Sequence, residues 1–209
     1  MHPTSLPGRY GIGDLGAEAY RFADWLASAG QRIWQVLPLG PTGYGESPYQ
    51  LFSAFAGNPL LLSLDHLVPA GELEDVPRFS EERVEFEKVI PWKTALLHRA
   101  FDVFRPHEEF DLFCRDNAAW LDDYARFMAL KQANGGVEWS AWSAKREAGP
   151  RDMAYHKFLQ FEFYRQWHAL KRYCAARGIR MMGDIPIYVA TDSADVWAHP
   201  ELFRFDAVA

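Results

Sequence analysis

Three segments of the sequence combine acidic, hydroxyl and aromatic side chains with glycines and prolines, as a site for a polar ligand would. They cover residues 2–14, 40–58 and 184–197. Asp184 follows Gly183 within a run that otherwise has the apolar composition of a strand. A carboxylate buried at a strand end is costly unless it has a partner. Asp184 is therefore the strongest single candidate for a site residue.

The other polar residues of these segments also have ordinary structural explanations. Tyr44 and Tyr49 could pack within their own loop, and Glu46, in a glycine-rich loop, is typical of a solvated charge. Asp192 or Ser193 precedes a short helical stretch and is typical of a helix cap. The residue pattern alone leaves structural and functional roles open at each of these positions.

Several kinds of chemistry have no support in the sequence. His156 and His168 lie on one predicted helix but twelve residues apart, so they do not match metal-ligand spacing. The turn-rich loop at 40–45 lacks the glycine spacing of a dinucleotide site and the Lys-Ser/Thr ending of a phosphate loop. No serine or cysteine nucleophile motif is present. We expect neither a metal site nor a bound cofactor.

Composition favours a globular protein with ample material for a buried core. The chain has 209 residues, of which 49% are hydrophobic and 15% aromatic, and a formal charge of −6. No basic run suggests a nucleic-acid or membrane surface. Cys114 and Cys174 are far apart and match no redox spacing, which favours a reduced, cytoplasmic setting. Residues 1–5 have neither the basic start nor the apolar stretch of a signal peptide.

One pattern of elements occurs twice: an amphipathic helix, a glycine, and then a β-rich run. The apolar stripes of the two helices consist of Phe22, Trp25, Leu26 and Ala29, and of Phe163, Trp167, Leu170 and Cys174. Gly30 and Gly178 stand where each helix needs a left-handed residue to end. The strands are predicted at 33–37, and from 179–182 on toward 186–189. Repeated helix–strand units indicate a parallel α/β fold, either a barrel or a doubly wound sheet.

The two units are separated by roughly a hundred residues, too many for an ordinary crossover. This stretch contains two predicted helical faces, one of Trp92, Leu96, Leu97, Ala100 and Phe104, the other of Phe113, Asn117, Trp120, Leu121, Tyr124 and Met128. We predict barrel segments at 1–62 and 151–209, with a mostly helical insertion at 63–150. A closed eight-stranded barrel needs about 250 residues before insertions. We therefore expect the chain to be a fragment of such a fold.

Long ordered motifs in the three polar segments resemble one enzyme family. They are HPTSLPG and YGIGDLG near the start, WQVLPLGPTGYG through SPYQ to AFAGNP at 34–59, and GDIPIYVA followed by DSADVWAHP at 183–200. Together they are similar to the 4-α-glucanotransferases of glycoside hydrolase family 77. The ending at 207–209 departs from the family pattern.

This resemblance implies a partial (β/α)₈ barrel, with the helical insertion after the second barrel strand. It also implies transfer of an α-1,4-glucan segment to another glucan or to glucose, by a retaining double displacement without a cofactor. Ser47 and Tyr49 match family residues near the donor sugars, Tyr44 matches a surface or groove tyrosine, and Asp184 matches an acid that lines the cleavage point. All four are expected to bind substrate.

The resemblance also places the family's nucleophile Asp and acid/base Glu on later strands, beyond residue 209. We therefore expect no catalytic carboxylate in this chain and no transfer by it alone. The alternative is a non-catalytic carbohydrate-binding remnant that kept the groove. A stand-alone glycosidase that uses Asp184 with Glu46 is the least favoured hypothesis.

Overall fold

The computed structural model describes residues 1–142 and 146–205, except for the side chain of Tyr44. Six helices and two strands make up the regular structure of these residues. They are α1 (Ala17–Ser28), β1 (Ile33–Gln35), α2 (Phe86–Val103), α3 (Glu108–Asp116), α4 (Ala118–Ala133), α5 (Pro150–Ala176), β2 (Arg180–Met182) and α6 (Ala194–Ala198). The predicted departure from the family at 207–209 lies outside the described residues.

Both helix–glycine–strand joints have the predicted form. Gly30 has a φ of +72°, its N–H bonds the carbonyl of Ala27, and the N–H of Gln31 bonds that of Leu26. The same pair of bonds closes α5 at Gly178, which also has a φ of +72°. This arrangement satisfies carbonyl groups that a helix end leaves open, and its left-handed residue is usually glycine. The chain can then turn directly from helix into strand.

The two strands pair in parallel, which confirms the parallel α/β class. Ile33 lies opposite Arg180 and Gln35 opposite Met182. The N–H of Val36 extends the ladder by donating to the carbonyl of Met182 over 2.9 Å. Both strands are shorter than predicted: β1 ends at Gln35 instead of residue 37, and β2 ends at Met182.

Residues 186–189 were predicted to continue β2, and this prediction is wrong. Ile187 and Tyr188 are 89% and 82% exposed in an irregular segment. Pro186 has no N–H to offer a ladder, and no strand among the described residues lies beside this segment. Apolar composition alone overestimated the length of the strand.

The two faces of the sheet differ sharply in burial. Trp34 is 2% exposed and meets the ring of Phe22 edge-on at 4.8 Å. On the opposite face Ile33 and Met182 are 43% and 47% exposed. One face is thus packed as in a layered α/β protein, and the other presents apolar side chains to solvent.

The buried stripe of α1 is displaced from the predicted one. It consists of Ala19, Ala23 and Leu26. Trp25, predicted to face the core, is 60% exposed and stacks on Phe22 at 5.6 Å, and Ala29 is exposed as well. Small alanine side chains allow the helix to pack closely, and that arrangement outweighs the hydrophobicity of the tryptophan.

The stretch between the two helix–strand units contains the helices α2, α3 and α4. On α2 the predicted face is confirmed at Leu96, Leu97 and Ala100, which are all buried. The second predicted face is interrupted, because α3 ends at Asp116 and α4 begins at Ala118. At the break, the side-chain amide of Asn117 donates to the carbonyl of Phe113 over 2.9 Å. Asparagine side chains can compete in this way with the backbone hydrogen bonds of a helix.

The chain forms two compact units. The first comprises Met1–Leu39, Gly57–Pro106 and Leu159–Asp184, and includes the sheet, α1 and α2. The second comprises Gly40–Ala56, His107–Phe158 and Ile185–Ala209, of which the structure describes the part up to 205, and includes α3, α4 and α6.

In the first unit, two glutamines of α5 hold an irregular stretch of backbone. The side-chain amide of Gln160 accepts from the N–H of Gly57 over 2.7 Å and donates to its carbonyl over 2.9 Å. Gln166 does the same with Ser63, over 2.8 and 3.2 Å. Both glutamines are buried, so these bonds replace the water that the irregular backbone would otherwise need.

A buried lysine in the same unit has no counterpart in the sequence-based predictions. Lys93, on the core face of α2, is fully buried, and its Nζ donates to the carbonyl of Leu60 over 2.7 Å. Nζ lies 3.9 Å from Oδ2 of Asp14, whose Oδ1 accepts from the N–H of Gly16. Burial lowers the pKa of Lys93 to about 8 and raises the pKa of Asp14 above its ordinary value.

Candidate functional site

The loop that carries three of the predicted substrate residues stands on a short antiparallel ladder in the second unit. The N–H of Phe52 donates to the carbonyl of Pro41 over 2.9 Å, and Thr42 forms an antiparallel bridge with Leu51. The N–H of Gly43 then donates to the carbonyl of Gln50 over 2.6 Å. The ladder leaves residues 44–49 as a projecting turn, which we call the tip loop.

The tip loop has an unusual backbone. Gly45 and Glu46 both have positive φ, at +65° and +53°, and Glu46 is the one non-glycine residue among those described with such a φ. The hydroxyl of Thr42 donates to Oε2 of Glu46, and the N–H of Glu46 donates to the carbonyl of Gly43 over 3.2 Å. The prediction of a solvated charge at Glu46 is wrong, because this carboxylate is bonded inside the loop.

Ser47 and Tyr49 lie together in the tip loop, just beyond Glu46. The N–H of Tyr49 donates to Oγ of Ser47 over 3.3 Å, and the N–H of Gln50 donates to the carbonyl of Ser47 over 3.1 Å. The side chain of Tyr49 is 42% exposed. Tyr44 begins the 3₁₀ turn of the loop, but its side chain lies outside the described part. The tip loop therefore presents a hydroxyl and an accessible aromatic ring side by side.

The base of the ladder is anchored in an aromatic core. The ring of Phe52 packs against Phe127 with the ring centroids 6.4 Å apart, and the ammonium of Lys131 lies 4.7 Å from the Phe52 centroid. The buried residues of this core are Ala56, Tyr124, Phe127 and Ala194, with Phe52, Trp120, Met128, Trp139, Trp142 and Trp197 packed around them. The aromatic residues of this core are thus structural.

The acids after residue 190 have structural partners in the second unit. Asp192 pairs with Lys131 over 2.5 Å and accepts from the N–H of Trp139 over 3.3 Å. The Ser193 hydroxyl accepts from the N–H of Val196 and caps α6, which confirms the capping prediction for this residue. Asp192 was the other capping candidate, and its carboxylate is used for the ion pair instead.

Asp195 is tied to the segment that follows the ladder. Its Oδ2 accepts from the N–H of Ala54 over 3.0 Å, and burial raises the pKa of Asp195 above the ordinary value. The hydroxyl of Ser53 accepts from the N–H groups of Phe55 and Ala56. The backbone after the tip loop is therefore held by side chains as well as by packing.

Asp184 belongs to the first unit, whereas the tip loop belongs to the second. Asp184 is exposed and follows the end of β2 by two residues. The prediction of a buried acid is wrong, because β2 stops at Met182 and the chain beyond it is irregular. The role of Asp184 in substrate binding stays a prediction.

The first predicted polar segment is folded tightly on itself in the first unit. Pro3–Ser5 forms a 3₁₀ turn, and the N–H of Gly13 donates to the carbonyl of Thr4. A Cβ on Gly13 would lie 2.1 Å from the carbonyl oxygen of Pro3, so only glycine fits there. Together with residues 74–86 the segment borders an open cleft of about 1080 Å³.

The chain matches the family model described as 4-alpha-glucanotransferase over residues 1–209. This chain belongs to the 4-alpha-glucanotransferase family. It is 51% identical to a 4-alpha-glucanotransferase of Thermus thermophilus and 48% identical to one of Synechocystis, each over 99% of this chain. The match covers 45% of either relative, so the chain spans about half the length of the 4-alpha-glucanotransferases it resembles.

The chain superposes on part of each of two solved amylomaltase structures. The amylomaltase of Streptococcus agalactiae, in complex with acarbose, superposes with a TM-score of 0.90 at 36% identity. The match covers 99% of this chain and 46% of that amylomaltase. The amylomaltase of Corynebacterium glutamicum, at 19% identity, superposes over 95% of the chain with a TM-score of 0.76 and supports the fold alone.

Two absences hold for the described residues, 1–142 and 146–205. No group of three or more His, Cys, Asp and Glu residues there could hold a metal ion. No helix in that part is long and apolar enough to cross a membrane. The buried carboxylates Asp14 and Glu162 bond to their own protein, at the N–H of Gly16 and the guanidinium of Arg165.

Proposed function

We propose that this chain supplies the donor-binding part of a 4-α-glucanotransferase. The reaction transfers a segment of an α-1,4-glucan to another glucan or to glucose. The observation that carries the proposal is the family match along the whole chain, combined with a tip loop that projects Ser47 and Tyr49 from a rigid ladder. Maltooligosaccharides are the ligands we expect, and a cytoplasmic setting remains our prediction.

The tip loop suits a pyranose ring in two ways. The exposed ring of Tyr49 offers an apolar surface for the C–H face of a sugar, as aromatic residues with a polar end do at wet interfaces. The hydroxyl of Ser47 already accepts from the N–H of Tyr49 and can donate its own proton to a sugar oxygen. Tyr44 would extend the same surface, and Asp184 would accept from sugar hydroxyl groups nearer the cleaved bond.

The bond-breaking chemistry needs groups that we place outside residues 1–209. Retaining transfer uses two carboxyl groups about 5 Å apart, one a nucleophile and the other an acid and base. The nucleophile forms a bond to the anomeric carbon while the acid protonates the departing oxygen. A sugar hydroxyl then displaces the carboxylate and gives its proton to the same acid/base group. Two observations support this assignment. The carboxylates of Asp14 and Glu162 are hydrogen-bonded within the protein, and the relatives are about twice as long as this chain.

We also propose that β1 and β2 are neighbouring strands of a (β/α)₈ barrel. Their parallel pairing and the packing of only one sheet face support this assignment, since a barrel strand has helices outside and other side chains inside. The exposed Ile33 and Met182 would then face the barrel interior. In this arrangement 1–62 and 151–209 belong to the barrel, and 63–150 is the insertion.

A chimaera tests the proposed function directly. Residues 1–209 replace the matching segment of the Thermus thermophilus relative, and maltotriose is the substrate. We expect glucose and longer oligosaccharides from the chimaera and from the parent enzyme, and none from the 209-residue chain alone. Transfer by the isolated chain would contradict the placement of the carboxylates. A chimaera that melts cooperatively but transfers nothing would contradict the proposed function.

The alternative, a binding remnant without chemistry, is favoured by one observation: the tip loop stands on its ladder, whereas the buried carboxylates Asp14 and Glu162 are used in structural contacts. Such a remnant would bind maltoheptaose as an isolated chain and would give an inactive chimaera. Binding by the isolated chain is measured by titration with maltoheptaose, with the NMR signals of the Ser47 and Tyr49 amides as the readout.

A further inference from the structure

A side-chain hydrogen bond joins the tip loop to the ladder beneath it. Thr42, held on the ladder by its bridge to Leu51, donates its hydroxyl proton to Oε2 of Glu46. We propose that Glu46 is a positioning residue, and that its bond to Thr42 fixes the tip loop in the shape that presents Ser47 and Tyr49 to the glucan. This inference rests on the proposed function.

The backbone at Glu46 explains why such a bond would be needed. A φ of +53° is uncommon for a residue with a Cβ, and such conformations persist only where the surroundings over-determine them. Without a restraint, the residue would relax toward negative φ. The Thr42 hydroxyl restrains the side chain of Glu46, and the bond from its N–H to the carbonyl of Gly43 restrains its backbone.

The direction of the next residues depends on this one backbone angle. Ser47 follows Glu46 directly, and both bonds that shape the rest of the tip loop end on Ser47, one at its hydroxyl and one at its carbonyl. A rotation at Glu46 would therefore carry Ser47 and Tyr49 away together. A glycine at position 46 would adopt the same φ without strain, but it could not accept the Thr42 proton.

The benefit of the bond would be a smaller entropic cost of binding. A loop held in its bound conformation before the ligand arrives loses less freedom on binding than a mobile one. Removing the bond between Thr42 and Glu46 should therefore weaken glucan affinity and leave the rate of the chemical step nearly unchanged. Removing a hydrogen bond of ordinary strength corresponds to a change of about fivefold in an equilibrium constant.

Four variants separate positioning from a direct role of the charge. Thr42→Val and Glu46→Ala remove the bond, whereas Thr42→Ser and Glu46→Gln keep a donor and an acceptor in place. The first readout is amide hydrogen exchange at Glu46 and Gln50 in the 209-residue chain. We expect exchange about fivefold faster in the two variants without the bond and a change of less than about twofold in the conservative pair. Unchanged exchange in Thr42→Val overturns the inference.

The second readout is kinetic and uses the chimaera described above. We expect KM for maltotriose to rise about fivefold in Thr42→Val and Glu46→Ala with kcat nearly unchanged, and both values to be retained in Thr42→Ser and Glu46→Gln. Loss of affinity in Glu46→Gln with full affinity in Thr42→Val would overturn positioning and indicate direct contact of the charge with sugar. If the unmodified chimaera is inactive, the proposed function fails and the exchange measurement still decides the role of the bond.

Discussion

The buried ammonium of Lys93 offers the sharpest test of the packing in the first unit. Lys93→Met keeps the volume of the side chain but removes the donor to Leu60 and the charge 3.9 Å from Asp14. An orphaned buried carbonyl costs about 1–3 kcal/mol. The lost attraction is about 4 kcal/mol for unit charges at this distance with an effective dielectric constant of 20. Desolvation of the ammonium opposes this attraction and is the larger effect, because the pKa of Lys93 is lowered. Loss of the bond to Leu60 and removal of the buried charge therefore act in opposite directions, and we expect the free energy of unfolding at pH 7 to stay within about 2 kcal/mol of the wild-type value.

A double-mutant cycle separates the charge interaction from the rest. Asp14→Asn leaves the lysine charge without its counterpart, and the double variant leaves no charge at all. We expect the two single changes together to cost about 1–3 kcal/mol more than the double variant. The assay is urea unfolding at pH 7, and Lys88→Met, a solvent-facing lysine of the same helix, is the control that should change little. Additive effects of the two single changes would refute the reasoning.

Three further predictions concern the first unit. Between pH about 8 and 10.5 Lys93 keeps its proton in the unfolded chain but has lost it in the folded chain. The free energy of unfolding of the wild type, measured relative to Lys93→Met, should therefore rise with pH by about 3 kcal/mol in total. A difference that does not change with pH would contradict this. Gly57→Ala would place a Cβ 2.0 Å from the ring of Phe163 and should cost about 1–3 kcal/mol or more in urea unfolding. Gly30→Ala is the control for Gly57→Ala, because a Cβ at Gly30 meets open space but the φ of +72° is strained for alanine. It should cost about 1–2 kcal/mol of unfolding free energy. Gln160→Met should cost about 2–4 kcal/mol because the N–H and the carbonyl of Gly57 both lose their partner; a loss below about 1 kcal/mol would indicate that water replaces the amide.

The parts of the fold that local chemistry determines could be predicted from the sequence. Gly30 and Gly178 mark helix ends because the left-handed closing residue is usually glycine, and both joints have the predicted form. The cap at Ser193 follows from the affinity of a hydroxyl for the open N–H groups of a helix start. The motif at 34–59 was specific enough to indicate the family that the comparisons show.

The parts that depend on partners distant in the sequence could not be predicted. Lys93 interrupts an apolar helix face, and nothing near it in the sequence shows that Asp14 and Leu60 will meet it. Trp25 satisfies a helical period, yet the close approach of small neighbours decides which face is buried. The left-handed backbone of Glu46 was equally hidden, because only the adjacent Gly45 signals a turn of that hand.

The pairing of β1 with β2 also bears on the time course of folding. Ile33 and Arg180 are in register although they stand 147 positions apart in the sequence. Contacts this remote in sequence are slow to form, because a long segment must be closed before they yield any energy. On a ribosome that adds about 5–20 residues per second, β1 would wait several seconds for β2 to be synthesised. During that interval the apolar edge of β1 is open to other chains, so chaperone dependence should be concentrated in this early phase.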